Sequence, residues 1–422
     1  MLCQEQLKRM TIRPQLRAAT AGLAFALAFL VAPFSRAQSF TVLHNFAGAL
    51  DGAQPVAGLS MDRAGNFYGT ASAGGLGYGT VFKLTYRNSV WMIVPLYGFS
   101  GGNDGAGPVT APVVGPNGTL YGSTAAGGGG ACSEIYEYSG CGTVFNLRPG
   151  TSVCKTALCL WTETVLYRFA GGSDGAYPIG KLLFDQSGDI YGTTADYLLF
   201  TSLGTVFEMT PSGSGWTKSI VERFDGSDGQ YPVAGMILQS GNLYGTTYYG
   251  GAHSDGAVYQ LTPSGSGWSE SVLYSFQGGN DGANPAAGVI FDAAGNLYGA
   301  TTVGGSGGGG TVFELTPSNG HWTLSVLYSF TGGAGPANSL VMDTAGNLYG
   351  TTVEDGTYGV GTVFKLTPSG GSWIYTDLHD FTGGSDGADP FGGVILDASG
   401  NLYGTTEMGG ANGDGVIFQI TP

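Results

Sequence analysis

Lysine and arginine are scarce in this sequence, 15 in 422 residues against 30 aspartates and glutamates. A formal net charge of −15 argues against nucleic acid or anionic lipid as a partner, because such a chain repels phosphate. Helical periodicity is missing outside the first 37 residues, which excludes bundles and folds that pack helices on a sheet. The catalytic vocabulary is thin as well. His44, His253, His321 and His379 fall in unrelated places with no repeated neighbour, so neither a triad nor a zinc site is suggested. Glycine runs at 127–130 and 307–310 have no Lys-Ser or Lys-Thr behind them, which removes a phosphate cradle. A Gly-x-Ser-x-Gly nucleophile elbow needs a strand running into a helix, and that setting is lacking.

Glycine, by contrast, is abundant at 78 residues, and aromatics at 12% supply ample material for a core. The first 37 residues read as a secretory signal. Lys8, Arg9, Arg13 and Arg17 precede an apolar run at 21–34 that is too short to span a bilayer. Ser35-Arg36-Ala37 then offers a small-x-small cleavage site, and its removal leaves the rest of the chain more acidic still. Residues 38–422 are expected to form one domain.

That domain is repetitive. Tyr-Gly pairs begin at Tyr68, Tyr121, Tyr191, Tyr244, Tyr298, Tyr349 and Tyr403, spaced 53, 70, 53, 54, 51 and 54 residues apart. A period near 53 with several short β segments per unit predicts propeller blades. In the fifth unit the expected strands are 287–291, 296–302, 311–316 and 322–330, with a hairpin at Asp292-Ala-Ala-Gly295. Six tryptophans share one place, Trp91, Trp161, Trp216, Trp268, Trp322 and Trp373, each eight residues before a phenylalanine. One Trp per unit predicts packing between neighbouring sheets rather than a sugar-binding row, with truncation costing about 3–5 kcal/mol.

The last unit stops at its third strand, whereas the chain opens on an unmatched fourth, Phe-Thr-Val-Leu-His-Asn-Phe at 40–46. An all-β, seven-bladed propeller closed by the N-terminal strand follows, since closure leaves no free sheet edge. The long second unit carries Cys132 and Cys141 in one loop and Cys154 and Cys159 in another. The strand between the loops would hold them about 20 Å apart, far beyond the 4.4–6.8 Å or so that a disulfide tolerates between Cα atoms. The expected bonds are therefore Cys132–Cys141 and Cys154–Cys159. A zinc site is disfavoured because the CxxC spacing is absent.

Candidate binding residues lie between blades, where Phe-x-Gly-Gly-x-Asp-Gly-x-x-Pro recurs with Asp51, Asp104, Asp174, Asp228, Asp281 and Asp386. The sixth unit replaces it with Gly332-Gly-Ala-Gly-Pro336. Six carboxylates on one face could hold Ca²⁺ or a polar ligand. The alternative is turn chemistry, Asp accepting hydrogen bonds from nearby amides. That second role is also expected of Asp62, Asp185, Asp292, Asp343 and Asp397. Glu134, Glu137, Glu354, Asp355 and Glu407 are spare loop acids, and Tyr197-Leu198-Leu199-Phe200 is an apolar loop suited to a lid or partner contact.

Gly-Asn-Leu-Tyr-Gly-Thr-Thr (241–247, 346–352, 400–406), Gly-Thr-Val-Phe-x-Leu-Thr-Pro (310–317, 361–368) and Leu-Tyr-x-Phe-x-Gly-Gly-x-Asp-Gly (273–282) together resemble the Gloeo/Verruco (GloVer) tandem-repeat family of exported bacterial proteins. The resemblance covers the chain beyond the signal and implies a secreted, periplasmic or cell-surface protein, with no activity to carry over. Ending at Pro422 without the family's variable anchoring tail, the chain is expected to be freely secreted. The expected function is a monomeric, non-catalytic module that binds an extracellular glycan or protein. The alternatives are a polysaccharide hydrolase or lyase using loop carboxylates, and a structural scaffold.

Overall fold

The computed structural model describes residues 38–115, 118–132, 138–150, 161–196 and 202–421. The signal segment, Cys154, Cys159, the apolar loop at 197–200, Glu134 and Glu137 lie outside the described residues. Each unit forms one four-stranded antiparallel sheet, and the seven sheets make an all-β, seven-bladed propeller. In the fifth blade the strands are Ile290–Phe291, Leu297–Thr301, Thr311–Ser318 and His321–Ser329. The last blade combines Val394–Leu396, Leu402–Thr406 and Val416–Thr421 with the N-terminal strand Ser39–Asn45. Ser39 faces Thr421 and Asn45 faces Val416, with a bulge between Val42 and His44.

The innermost strand is shorter than the five residues expected from its apolar run. Its first residues pack against the backbone of the neighbouring blade instead of their own sheet. A Cβ on Gly288 would lie 2.6 Å from the Gly235 carbonyl oxygen, and one on Gly58 would lie 2.0 Å from that of Gly392. Seven chain segments converge near the axis, and only small residues fit there.

The recurring Tyr-Gly-Thr-Thr is explained residue by residue. The Tyr ring of one blade meets the Trp of the next, as in Tyr298–Trp373 at 6.2 Å and Tyr191–Trp268 at 5.9 Å. The Gly lies under an aromatic ring of the adjacent strand, so that a Cβ on Gly299 would be 2.5 Å from Phe313. The first Thr donates its hydroxyl to a carbonyl of the next blade, Thr351 to Pro390 at 2.9 Å and Thr405 to Ala57 at 2.7 Å. The second pairs with a Thr across the sheet, Thr352 with Thr362 at 3.0 Å.

The tryptophans therefore pack between sheets as expected, although they are only half-buried. The fully buried seam is built from another pair of rings. The phenylalanine ending each fourth strand meets the aromatic of the following blade's third strand edge-on, as in Phe276–Phe313 at 5.2 Å and Phe381–Phe418 at 5.3 Å. Phe46–Phe82, at 5.2 Å, repeats this contact where the ring closes. Seven equivalent seams, one of them formed by the N-terminus, hold the ring together.

Candidate functional site

Connections between blades and the glycine-rich loops after the second strand meet on one face, joined by bridges such as Ala53–Ala73, Ala283–Val303 and Ala388–Met408. The six aspartates of the repeated connection stand there, and their oxygens are engaged in the turn. Asp281 Oδ2 accepts from the Gln277 amide at 3.0 Å and from the Tyr274 hydroxyl at 2.9 Å. Asp104 does the same with Ser100 and Tyr97, and Asp174 with Ala170 and Tyr167. Asp51 and Asp386 keep the amide, from Ala47 and Thr382, but take an imidazole as the ring partner. Asp228 caps a tighter turn through the Asp225 amide.

In the five units that have one, the ring partner lies seven residues before the aspartate, which corrects the reading of His44 and His379 as unrelated. His44 and His379 occupy the place that Tyr97, Tyr167 and Tyr274 hold elsewhere. Counting two residues back from the seam phenylalanine in every unit would have revealed it. Burial lowers the pKa of His379 despite the carboxylate of Asp386 beside it. Asp174 has a further partner, Lys218 Nζ at 2.8 Å, with an ammonium that also sits over Tyr167 and Phe169. Burial alone would raise Asp174, but the hydrogen bonds from Lys218, Tyr167 and the Ala170 amide outweigh it and hold its pKa below the usual carboxylate value.

In the sixth unit, which lacks this aspartate, acids from the next loop fill the gap. Glu354 accepts from the Ala334 amide at 3.2 Å, and Asp355 packs against Gly332. The hairpin aspartates on the opposite face are fully committed: Asp292 accepts from the amides of Ala294 and Asn296, the Asn296 side chain and the Tyr298 hydroxyl. Among the described residues no three Asp, Glu, His or Cys side chains converge closely enough to hold a metal ion. Millimolar calcium is accordingly expected to leave the melting temperature unchanged, as differential scanning calorimetry will show, and a rise of several degrees would restore the acidic ring as a cation site.

The structure joins Cys132 to Cys141, whose Cα atoms are 5.1 Å apart, and so ties the long loop of the second blade.

The axis of the propeller holds what residue patterns did not bring forward. All seven innermost segments line a central cavity of about 1250 Å³. Its wall is mostly aliphatic side chain, including Val56, Val109, Ile179, Val233, Val289 and Val341, with polar Thr110, Gln186, Ser187, Asn338 and Ser339 among them. Among the described residues only three charged groups line it: Lys181, Asp185 and Glu407. Asp185 is used by its own turn, accepting from the amides of Ser187 and Asp189. Glu407 sits at the end where the connections cross, with its pKa raised by burial and by the nearby Asp389. Asp389 itself is raised by burial and by Glu354.

The model of the Gloeobacter/Verrucomicrobia repeat matches residues 29–197, 138–290 and 266–422, which together span nearly the whole chain. The chain belongs to this repeat family. No curated protein matches it. Among solved structures, it resembles a candidate 6-phosphogluconolactonase of Bacteroides uniformis with 15% identity and a TM-score of 0.50, over 87% of this chain and 88% of that one. It also resembles an ulvan lyase, a polysaccharide lyase, with 12% identity and a TM-score of 0.49, covering 90% and 93% of the two chains. PorZ of Porphyromonas gingivalis, a surface component of the type-IX secretion system, shares 14% identity at a TM-score of 0.48, over 86% of this chain and 46% of that one. At these identities the likeness is one of fold. Among the described residues no helix is long and apolar enough to cross a membrane.

Proposed function

We propose that this repeat protein is an exported, non-catalytic binding module whose ligand enters the central cavity from the face where the blade connections cross. The observation that carries this reading is the contrast between that cavity and the surrounding acids. The cavity is large, apolar and walled by all seven blades, which is the form of a ligand pocket. The repeated aspartates around it are occupied in turns. Export is supported by the basic, apolar leader and by the Cys132–Cys141 bond, because disulfides persist in oxidising compartments. The first strand begins at Ser39, two residues after the proposed cleavage at Ala37.

Glu407 favours a second reading, hydrolysis or lyase cleavage of an extracellular polysaccharide. A carboxyl whose pKa is raised by burial and by Asp389 is of the kind that serves as a general acid. One experiment separates the two. The protein recovered from the culture medium, with Gln38 as its first residue by intact mass, is screened against a glycan array and a panel of soluble polysaccharides. Retention of a glycan without turnover supports the binding module. Cleavage of any polysaccharide that is lost in Glu407→Gln would replace it with the enzyme.

A further inference from the structure

Lys181 has no counterpart in the other blades. Lys181 lies two residues before Leu183, the residue that pairs with Tyr191, and the same place in the other blades is taken by Gly58, Ala111, Gly235, Gly288, Ser339 and Gly393. These are the small residues at which the innermost segments converge, and a Cβ on Gly235 would already touch that of Lys181 at 3.0 Å. A four-carbon stem cannot fold back into so crowded a wall, so it extends inward. Lys181 lines not only the main cavity but also an adjoining one of about 370 Å³, whose other walls come from the seventh, first and second blades: Leu59, Ser60, Met61, Val113, Val114, Ile395 and Leu396. The side chain of a third-blade residue thus reaches across the axis toward the opposite wall.

Lys181 is exposed to the water of the cavity and stands between walls contributed by several blades. It has no hydrogen-bond or ion-pair partner among the described residues. Neither Asp185 nor Glu407 makes an ion pair with it, and burial pushes its pKa down with no neighbouring carboxylate to oppose the shift. A cation held in an apolar enclosure without a counter-charge is costly unless something else supplies one. Lys218, the other enclosed lysine, has its counter-charge in Asp174.

We infer that the central cavity binds a small organic monocarboxylate, with the carboxylate paired to Lys181 and an apolar body against the aliphatic wall. The inference rests on the proposed binding function and names the ligand class for that same cavity. One unpaired cation balances one negative charge, and the rest of the wall is mainly hydrocarbon, with Thr110, Gln186, Ser187, Asn338 and Ser339 as its uncharged polar side chains. A phosphate dianion calls for more positive charge or a nest of amides. A carboxylate could come from a free organic acid or from an acidic residue at the end of a glycan chain, and both present the same group to Lys181.

The test is isothermal titration of the purified protein with benzoate, its neutral isostere benzamide, inorganic phosphate and a monomeric uronate. Benzoate is expected to bind saturably. Lys181→Met should weaken it roughly tenfold or more while the unliganded melting temperature stays the same or rises, since an unpaired enclosed charge has been removed. Lys181→Arg should retain binding. Uronate binding in preference to benzoate would support a glycan end as the source, and the reverse a free acid. Binding of phosphate in place of both, or benzoate binding unaffected in Lys181→Met, overturns the inference. Benzamide binding as well as benzoate also overturns it but leaves the cavity as a ligand site. Silence from all four probes overturns it too, whereas retention of a neutral glycan on the array would still stand for the binding module.

Discussion

Phe46→Ala is expected to lower the free energy of unfolding by about 3–5 kcal/mol, the cost of removing a fully buried aromatic ring. Phe46 has no exposed surface. Its ring stands edge-on to Phe82 at 5.2 Å and belongs to the seam between the last blade and the first. The connection carrying Asp51 joins this seam as at the other blade boundaries, and what is not covalent is the pairing of Ser39–Asn45 with Val416–Thr421 inside the last blade. The same ring pair recurs at the other seams, so the loss at Phe46 should be comparable to that at Phe276 or Phe330, with the added effect of loosening the strand that completes the last blade. Urea unfolding followed by tryptophan fluorescence reads the difference as a shifted midpoint at constant slope. A Phe46→Ala/Phe82→Ala pair should fall short of the sum of its single mutants by about 0.5–1.5 kcal/mol, the part belonging to the ring pair itself. Half-buried Trp322 should cost less than the 3–5 kcal/mol or so expected of a fully enclosed ring. If Phe46→Ala costs no more than a surface substitution, the N-terminal strand is not what closes the ring.

The ring and its closure were legible because each repeated residue has a partner in a neighbouring blade. Seven Tyr-Gly pairs, six Trp and an unmatched strand at 40–46 are enough to count blades and to see that the first strand belongs with the last. The role of each repeated letter was less legible. A glycine following a tyrosine reads as a break in a strand, and only the cross-strand position of Phe313 over Gly299 shows that the glycine makes room for a ring. The histidines were hidden for a related reason. His44 and His379 replace a tyrosine that also hydrogen-bonds Asp, and chemical dissimilarity masks the shared place.

The candidate site was hidden more deeply. A reading built on what recurs favours the six aspartates, which recur because every turn needs a cap. Lys181 occurs once, and its meaning comes from six small residues around an axis that sequence spacing does not draw. In a repeat protein, the residue that departs from its six counterparts at a convergent position is the stronger pointer to a ligand, because repetition itself is already accounted for by packing.

The second large effect is on the pH dependence of stability. Glu163 and Glu270 occupy the same place, two residues after Trp161 and Trp268, and face the preceding blade. Burial, together with Asp104 near Glu163 and Asp228 near Glu270, pushes each carboxyl up to about 7. One oxygen of each is buried without a hydrogen-bond partner. A carboxyl whose folded pKa lies above its unfolded value of 4.5 binds its proton more tightly when folded, so stability falls as pH rises from about 4.5 to about 7. The hairpin aspartates act in the opposite sense. Burial would raise Asp62, Asp292, Asp343 and Asp397, but hydrogen bonds from Asn, Tyr and backbone amides hold them below 3.8. Their contribution is present above that value and is lost as pH falls through their folded pKa values. The two limbs place maximum stability in mildly acidic solution, near pH 4–5. Glu163→Gln and Glu270→Gln should each leave stability at pH 5 nearly unchanged and raise it at pH 8 by on the order of 1–2 kcal/mol. A shift of this size is worth about 3 kcal/mol in full, and the lower figure discounts it for the water that reaches a half-buried carboxyl. Urea midpoints measured from pH 3 to pH 9 decide the matter. Stability that keeps rising to pH 8 in the parent protein would mean that water reaches both glutamates freely, and the seam between these blades would then be looser than its packing shows.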